Sequence, residues 1–479
     1  MTASRAARRD PAEKRELFIM DNVEKQQILD RIAEHRRKIG SGDFPSVERR
    51  RTMLRRLLKL LLSHKSGLFQ ALKDDLGKSE HEVMTTELMP LAGVLKYLIR
   101  KLPSLTRPSR VPLSLLNWPA AGYLVQEPYG EVLIGATWNY PLLLALEPLA
   151  GAIAAGNYAV VKLAERAPRM MHFLNWIIEE SFSGEVIAVG DEMTWQELIA
   201  EPFDYIFFTG GAENGRRVLA AAAPNLTPVT LELGGKNPCI VAPGCSVALA
   251  ARRIVWGKFT NAGQTCIAPD YLVVHSSLKE ELMCRIQTAI KDFYGESPLS
   301  SPDYSCLIDS FAYERLSRLA GNGRLIVGGD KDPERRAIEP TVIDRLDPED
   351  PLLNEEIFGP ILPVVEYDGE EELFTEIRRR GKPLALYCFG GNRKLRRALR
   401  ERTSSGALVF DDVVMHFVNP GMPFGGVGTS GMGAYHGELT FRTFSHAKPE
   451  MRSSTFFDFP LRYPPYPKWL SSMLNFFIR

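Results

Sequence analysis

Residues 131–162 read "EVLIGATWNYPLLLALEPLAGAIAAGNYAVVK". "EVLIGAT" is a short β-rich run, "PLLLALEPLAGAIAAG" reads as a helix stopped by Gly156, and "YAVVKL" is a second buried strand. The same alternation continues downstream. "PRMMHFLNWIIEESF" is a helix opened by Pro168, and "EVIAV", "TWQELIAE", "DYIFFTG", "AENGRRVLAAAA" and "PVTLEL" follow as strand, helix, strand, helix and strand. Strands alternating with helices imply right-handed crossovers and a parallel sheet covered on both faces. The fold class is therefore α/β, with a doubly wound, nucleotide-type domain. A second α/β series starts near Gly235 and runs through "PCIVA", a helix ending near Asn261, "YLVVHS" and "KPLALYCF".

Upstream, Met53, Leu54, Leu57, Leu58 and Leu61 fall at helical spacing, with Arg51, Arg55 and Arg56 on the other face. An amphipathic helix with a solvated basic side accounts for that charge run. The stretch "RKLPSLTRPSRVPLSLLNWPAAGYLVQEPYG" carries five prolines and reads as an extended connection or arm.

At 479 residues the chain is long enough for two or three domains. A chain of this size buries roughly three quarters of its unfolded surface and needs no disulfide or structural metal. The balance of 59 Lys+Arg against 58 Asp+Glu gives no electrostatic case for nucleic acid. Six cysteines without a CxxC pair argue for a reducing compartment. No metal site is expected: His81-Glu82 begins like HExxH, but Thr85 stands where the second histidine belongs. The first residues lack a signal-peptide core, and residues 1–27 read as a disordered basic lead-in. A cytoplasmic location is expected. The stretch around "YPLLLALEPLAGAIAAG" falls short of a membrane span because Glu147 and Pro148 interrupt it.

Several residues invite chemistry. In "NAGQTCIAP", Cys266 follows small and polar residues, a texture suited to another molecule's close approach rather than to core packing. In "YIFFTGGAENGRRV" a strand ends at Thr209, Gly210 and Gly211 allow a tight turn, and Gly215 lies on the next helix. Phosphate at that helix N-terminus is one reading; an ordinary glycine turn is the other. Lys162 and Glu165 in "VVKLAE" end a parallel strand, where ribose hydroxyls or a mere surface ion pair would suit them. Glu232 in "TLELGGK" is either a base with a raised pKa or an edge-strand carboxylate. Asn139 in "TWNYP" is either an oxyanion donor or a turn residue. Nothing local separates a ligand-binding Glu356 in "NEEIFGP" from a solvated one.

Together, "TWNYP", "AIAAGNYAVVK", "FFTGG", "LELGGKNP", "NAGQTCIAP", "EEIFGPILPV" and "PFGGVGTSGMGAYHGE" resemble the aldehyde dehydrogenase superfamily, in the family's order and over residues 28–466. "PFGGVGTSGMGAYHG", "TFSH" and "RYPPY" resemble its class 3 branch, which includes fatty and aromatic aldehyde dehydrogenases. The resemblance implies that Cys266 attacks the aldehyde to give a thiohemiacetal and then a thioester. It implies Asn139 and the Cys266 N–H as oxyanion donors, and Glu232 as the base that activates water. It also implies NAD, with NADP the alternative: Lys162 and Glu165 at the adenosine ribose, Thr209, Gly210, Gly211 and Gly215 at the pyrophosphate turn, Gly235 beside the nicotinamide, and Glu356 with Phe358 at its ribose. The implied parts are a cofactor domain from residues 28–104 and 128–231, a catalytic domain over 232–437, and a small β-rich oligomerisation arm from 105–127 and 438–463, giving a homodimer.

The sequence departs from the family in places. "KPSE" reads "KLAE", Gly211 replaces a frequent serine or asparagine, Thr137 replaces proline, and "ND" reads Asp411-Asp412. An altered cofactor affinity is expected, and Glu165 should repel a 2′-phosphate, favouring NAD. A CoA-acylating relative is disfavoured by Glu232, and a catalytically silent protein by the presence of Cys266, Glu232 and Asn139 together. The tail, residues 464–479, places Trp469, Leu470, Met473, Leu474, Phe477 and Ile478 on one helical stripe. It could pack on protein or touch a membrane peripherally.

Overall fold

Five of the expected strands carry nearly unbroken apolar runs and form a parallel sheet buried on both faces. In the computed structural model, which describes residues 11–114, 117–182, 184–458, 460–467 and 469, they belong to a six-stranded sheet. Its spatial order is Gly431–Met432, Val229–Leu233, Tyr205–Gly210, Glu131–Gly135, Tyr158–Lys162 and Val186–Val189. All neighbours are parallel except the short Gly431–Met432 strand, where Gly431 faces Glu232. The chain winds outward from Glu131–Gly135 to Val186–Val189, then returns to Tyr205–Gly210 on the other side. The switch point thus lies between the ends of Gly135 and Gly210, where such sheets open a crevice.

The helix Pro141–Ala155 is buried along its whole length. Its near-continuous apolar sequence is that of a core helix with no solvent face. Glu147 and Pro148 lie inside it, buried rather than terminating it. The basic helix Val47–Ser63 lays Met53, Leu54, Leu57 and Leu61 into this core, and Ser46 caps its first turn.

A second, seven-stranded sheet has the order Arg324–Val327, Thr341–Asp344, Ile361–Tyr367, Tyr271–His275, Pro238–Val241, Ala385–Phe389 and Ala407–Phe410. Four of these strands were not read from the sequence. Ile361–Tyr367 holds Pro363, and Arg324–Val327 is half exposed, so neither shows a clean strand pattern. The proline-rich stretch contributes Ser109–Val111 and Ala121–Pro128 to a three-stranded antiparallel sheet completed by Ser445–Arg452. The first of its five prolines, Pro103, instead sits in the last turn of the helix Met89–Leu105.

The lead-in is not unstructured from Pro11 onward. A helix runs over Pro11–Gly40. Ile28 and Ile32 pack into the core around the first sheet, Lys25 reaches Glu197 at 2.5 Å and Arg31 reaches Glu179 at 2.9 Å. The basic lead-in expected over residues 1–27 thus ends in a helix that places Lys25 against Glu197, a partner distant in sequence. The apolar tail stripe, apart from the exposed Trp469, falls outside the described residues. Among the described residues no helix is long and apolar enough to cross a membrane, and no group of three or more metal-ligating side chains occurs.

Candidate active site

At the switch point a cleft of about 440 Å³ opens. Asn139, Glu165, Thr209, Gly210, Gly211, Glu232, Cys266, Glu356 and Phe358 all line it. These residues come from both large sheets and the loops between them, and the nucleophile candidate, the carboxylate and the amide share one cavity.

Three expected residues do not line the cleft. Lys162 lies just behind it, its Nζ donating to Glu165 and to the Gly190 carbonyl. Gly215 faces away: a Cβ there would stand 2.8 Å from the Leu233 side chain, so it serves close packing of helix Ala212–Ala222 on strand Val229–Leu233. Gly235 donates its N–H to Glu356 Oε1 at 3.2 Å. Its neighbour Gly234 is the one on the cleft wall. A Cβ on Gly234 would lie 2.0 Å from Glu356 Oε1, so only glycine admits the carboxylate so closely.

Cys266 owes its position to a turn that the sequence does not announce. After helix Val247–Phe259, Asn261 (φ 52°), Ala262 (φ 50°) and Gly263 (φ 75°) are successively left-handed. A Cβ on Gly263 would sit 2.2 Å from the Gly359 carbonyl. Two non-glycine residues held there are costly, roughly 1 kcal/mol or more each, and such backbone persists only where its surroundings enforce it. The enforcement is visible. Asn261 Nδ2 donates to the carbonyls of Asn139 (2.9 Å) and Gln264 (3.1 Å). Gln264 Nε2 donates to the Cys306 carbonyl at 3.0 Å. Asn237 Nδ2 donates to the Cys266 carbonyl at 2.7 Å.

Asn139 is buried and equally constrained. One Nδ2 hydrogen goes to the Gln264 carbonyl at 3.0 Å. Its own carbonyl also accepts from Lys78 Nζ at 2.8 Å, and Lys78, fully buried, is paired with Glu87 at 2.8 Å. Glu87 in turn accepts the N–H of Leu142 at 2.9 Å, capping the core helix that starts beside Asn139. Lys78, Glu87, Asn237 and Asn261 were not singled out from the sequence. Asn237 and Asn261 lie inside the quoted motifs; nothing marks Lys78 or Glu87.

Electrostatics in the cleft favour protonated groups. Burial, followed by the charges of Glu356 and Glu232, pushes the Cys266 thiol up to about 12, while the N–H groups of Cys266 and Ile267 facing the sulfur pull the other way. Burial and then Glu147 hold the Glu232 carboxyl well above the usual carboxylate range, and neither of its oxygens has a hydrogen-bond partner. Glu356 is raised to about 8, again by burial first and then by Asp270.

The cleft suits a dinucleotide. The helix Ala212–Ala222 begins at Gly211 without a side-chain cap, and the space above Gly211 is open, so free N–H groups face the cleft. The buried Thr209 hydroxyl has no partner. Trp138 lies under the Arg166 guanidinium (4.6 Å to the ring centroid) and edge-on to Phe358 (5.3 Å), walling one side.

A second cavity, of about 300 Å³, reaches Cys266. Leu143, Trp256, Ile267, Met415, Phe417 and Phe424 are among its walls. Its wall hydroxyls are already engaged: Thr85 to the His81 carbonyl (2.8 Å), Thr86 to Glu82 (2.7 Å), Thr260 to Trp256 (2.6 Å), and Tyr140 with Thr265 (2.6 Å). Thr85 and Thr86 sit on a single π-helical turn, Met84–Leu88, a local widening often found beside functional sites. Cys266, Leu144 and Phe424 border both cavities.

The model of the aldehyde dehydrogenase family matches residues 2–449. The chain belongs to that family. A 4,4'-diaponeurosporen-aldehyde dehydrogenase of Staphylococcus aureus is 42% identical over 422 residues, covering 87% of this chain and 92% of the relative. Aldehyde dehydrogenase family 3 member A2 of Mus musculus is 39% identical over 447 residues, covering 92% of each. This aldehyde dehydrogenase is therefore close to the family 3 branch. A solved structure described as the substrate-bound state of Staphylococcus aureus AldH superposes with a TM-score of 0.91 at 38% identity, covering 94% of this chain and 99% of the other. The α/β architecture is thus the family's own, and the chain is an enzyme of aldehyde oxidation.

Proposed function

We propose that this aldehyde dehydrogenase oxidises medium- to long-chain aliphatic or aromatic aldehydes to carboxylic acids, with NAD(P) as oxidant. The observation that carries the substrate class is the channel to Cys266, whose wall hydroxyls are all hydrogen-bonded within the protein. A polar tail entering it would lose its water and meet threonine hydroxyls whose hydrogens already go to backbone carbonyls; an apolar tail loses nothing.

In this reading Cys266 Sγ bonds to the aldehyde carbon, its anion steadied by the N–H groups of Cys266 and Ile267. The oxygen that gains charge takes the second Nδ2 hydrogen of Asn139 and the Cys266 N–H. One such donor is typically worth about 3 kcal/mol in the transition state. A bound nicotinamide would supply the hydride acceptor and a positive charge that favours ionised Cys266 and Glu232. Glu232 then takes a proton from the water that attacks the thioester. Lys162 and Glu165 would hold the adenosine ribose, Thr209, Gly210 and Gly211 the pyrophosphate, and Glu356 and Phe358 the nicotinamide side. Gly215 and Gly235 would act indirectly, through packing and through Glu356. The Glu165 carboxylate disfavours a 2′-phosphate, which makes NAD the preferred form.

Assembly as a homodimer is part of the proposal. The strand Ser445–Arg452 is an exposed edge of the three-stranded sheet. Trp118 and Phe457 pack edge-on beside it, ring centroids 5.3 Å apart, and both remain largely exposed. Reduced nicotinamide is expected from decanal and benzaldehyde and not with Cys266→Ala. An active Cys266→Ala protein would overturn the nucleophile, and short polar aldehydes turned over as well as decanal would overturn the substrate class.

A further inference from the structure

One stretch of the channel wall is strained. Val414 has φ 62° and ψ −39°, and the N–H of Met415 closes back on the Val413 carbonyl at 2.6 Å. That is the rare positive-φ γ-turn, with a β-branched residue at its centre, where side chain and backbone crowd each other most. Backbone of this kind persists only where its surroundings hold it. Gly257, on the helix Val247–Phe259, gives the turn its seat: a Cβ there would stand 2.4 Å from the Val413 side chain and 3.3 Å from that of Val414. Val414 and Gly257 both line the channel that reaches Cys266.

The turn is also held from the core. Tyr387 lies in the middle of the strand Ala385–Phe389 and is fully buried. A phenol in that position must engage its hydroxyl, which offers one hydrogen and can accept in return. It gives the hydrogen to the Ile267 carbonyl at 2.6 Å and takes the Val414 N–H at 3.3 Å. Ile267 is bonded directly to Cys266 and lines the same channel. The carbonyl of Cys266 is fixed separately by Asn237 at 2.7 Å. One phenol oxygen thus joins the strained wall to the residue beside the sulfur.

We propose that Tyr387 is a positioning residue that couples the channel to the nucleophile: an apolar chain packed on Val414 sets the placing of Ile267, and with it the approach of Cys266 Sγ to the aldehyde carbon. This rests on the reading of the channel as the seat of the aldehyde's apolar tail. A short aldehyde leaves Val414 without a neighbour on the channel side. The turn can then relax toward negative φ, taking its N–H away from Tyr387 and freeing the hydroxyl to leave Ile267. A long chain packs on the Val414 isopropyl group and holds the turn, the hydroxyl and Ile267 in one arrangement. Part of the binding of the remote chain is thereby used to place the reacting atoms, which shows as rate rather than as affinity. Tyr387 touches neither substrate nor cofactor in this scheme and acts only through Val414 and Ile267.

The full-length enzyme, Tyr387→Phe and Val414→Gly are compared with NAD and propanal, hexanal or decanal, whose carbonyl groups are alike in reactivity. The first-turnover rate of NAD reduction at saturating aldehyde is read separately from KM. In the unaltered enzyme the rate rises about tenfold from propanal to decanal while KM falls. In Tyr387→Phe the rate no longer depends on chain length, whereas KM still falls, because the apolar walls remain. A residue that only supported the core would lower all the rates by one factor. In Val414→Gly, glycine adopts the turn without strain and offers the substrate no side chain. This variant loses the rate dependence with the Tyr387 hydroxyl in place, and it carries the test if Tyr387→Phe does not fold. A tenfold rate difference that survives in either variant, a uniform loss in Tyr387→Phe, or equal rates for all three aldehydes in the unaltered enzyme overturns the coupling. A KM that does not fall from propanal to decanal in the unaltered enzyme overturns instead the substrate class on which the coupling rests.

Discussion

The ionisation of Cys266 gives the most direct measure of the cleft without invoking turnover. With the thiol pushed up to about 12, about one sulfur in ten thousand is thiolate at pH 8, against about one in ten for a cysteine titrating near 9. Alkylation by iodoacetamide should therefore run far slower at Cys266 than at Cys284, which is exposed and serves as an internal reference. The perturbation is Glu356→Gln, since after burial the Glu356 charge does most to hold the thiol up. Glu356 itself titrates at about 8, so in the native protein it is neutral below that pH and opposes thiolate formation only above it. The sign follows: glutamine leaves the alkylation rate unchanged near pH 7 and raises it at pH 9–10, by about three- to tenfold for half to one pKa unit. Peptide mass spectrometry of both cysteines across pH 6.5–10 reads this directly. Equal alkylation of Cys266 and Cys284 at pH 8, or an acceleration by Glu356→Gln that is the same at pH 7 and pH 10, would refute the electrostatic account.

Other outcomes can be checked alongside. Lys78→Met leaves the buried Glu87 without its cation and should cost about 3–5 kcal/mol in denaturant unfolding, with Lys78→Met/Glu87→Gln recovering part of it; a loss below about 1 kcal/mol would show that the pair is not a charged one. Leu143→Asn places an unpaired amide on the apolar channel, so kcat/KM for decanal should fall ten- to a hundredfold while that for acetaldehyde changes little. Because the Glu165 side chain is about half exposed and already paired with Lys162, its repulsion of a 2′-phosphate is worth about 1 kcal/mol or less. Glu165→Gln should accordingly shift the NADP/NAD ratio of kcat/KM upward by only about three- to fivefold, and a hundredfold change would mean that another contact sets the preference.

Much of the α/β fold was legible in residues 131–233, because hydrophobic period, helix stops and strand length are local properties that survive any tertiary context. Family membership was legible as well, since the motifs around Asn139, Glu232, Cys266 and Glu356 are contiguous in sequence. Which side chains meet was not. Lys78 and Asn139 lie 61 residues apart, and Glu147 and His436 lie 289 apart; their pairing follows from how the core helix is packed, which no local pattern encodes. Gly215 illustrates the same point at short range: its place in a glycine-rich turn suggested phosphate contact, while Leu233, brought in by the neighbouring strand, makes it a packing contact. The left-handed turn at Asn261–Gly263 is a further case: asparagine and glycine tolerate that backbone, but Ala262 between them does not favour it, and the hydrogen bonds around Gln264 hold it there. Local chemistry thus determined the elements and the reactive candidates; long-range packing decided their protonation, their partners and the two cavities that meet at one sulfur.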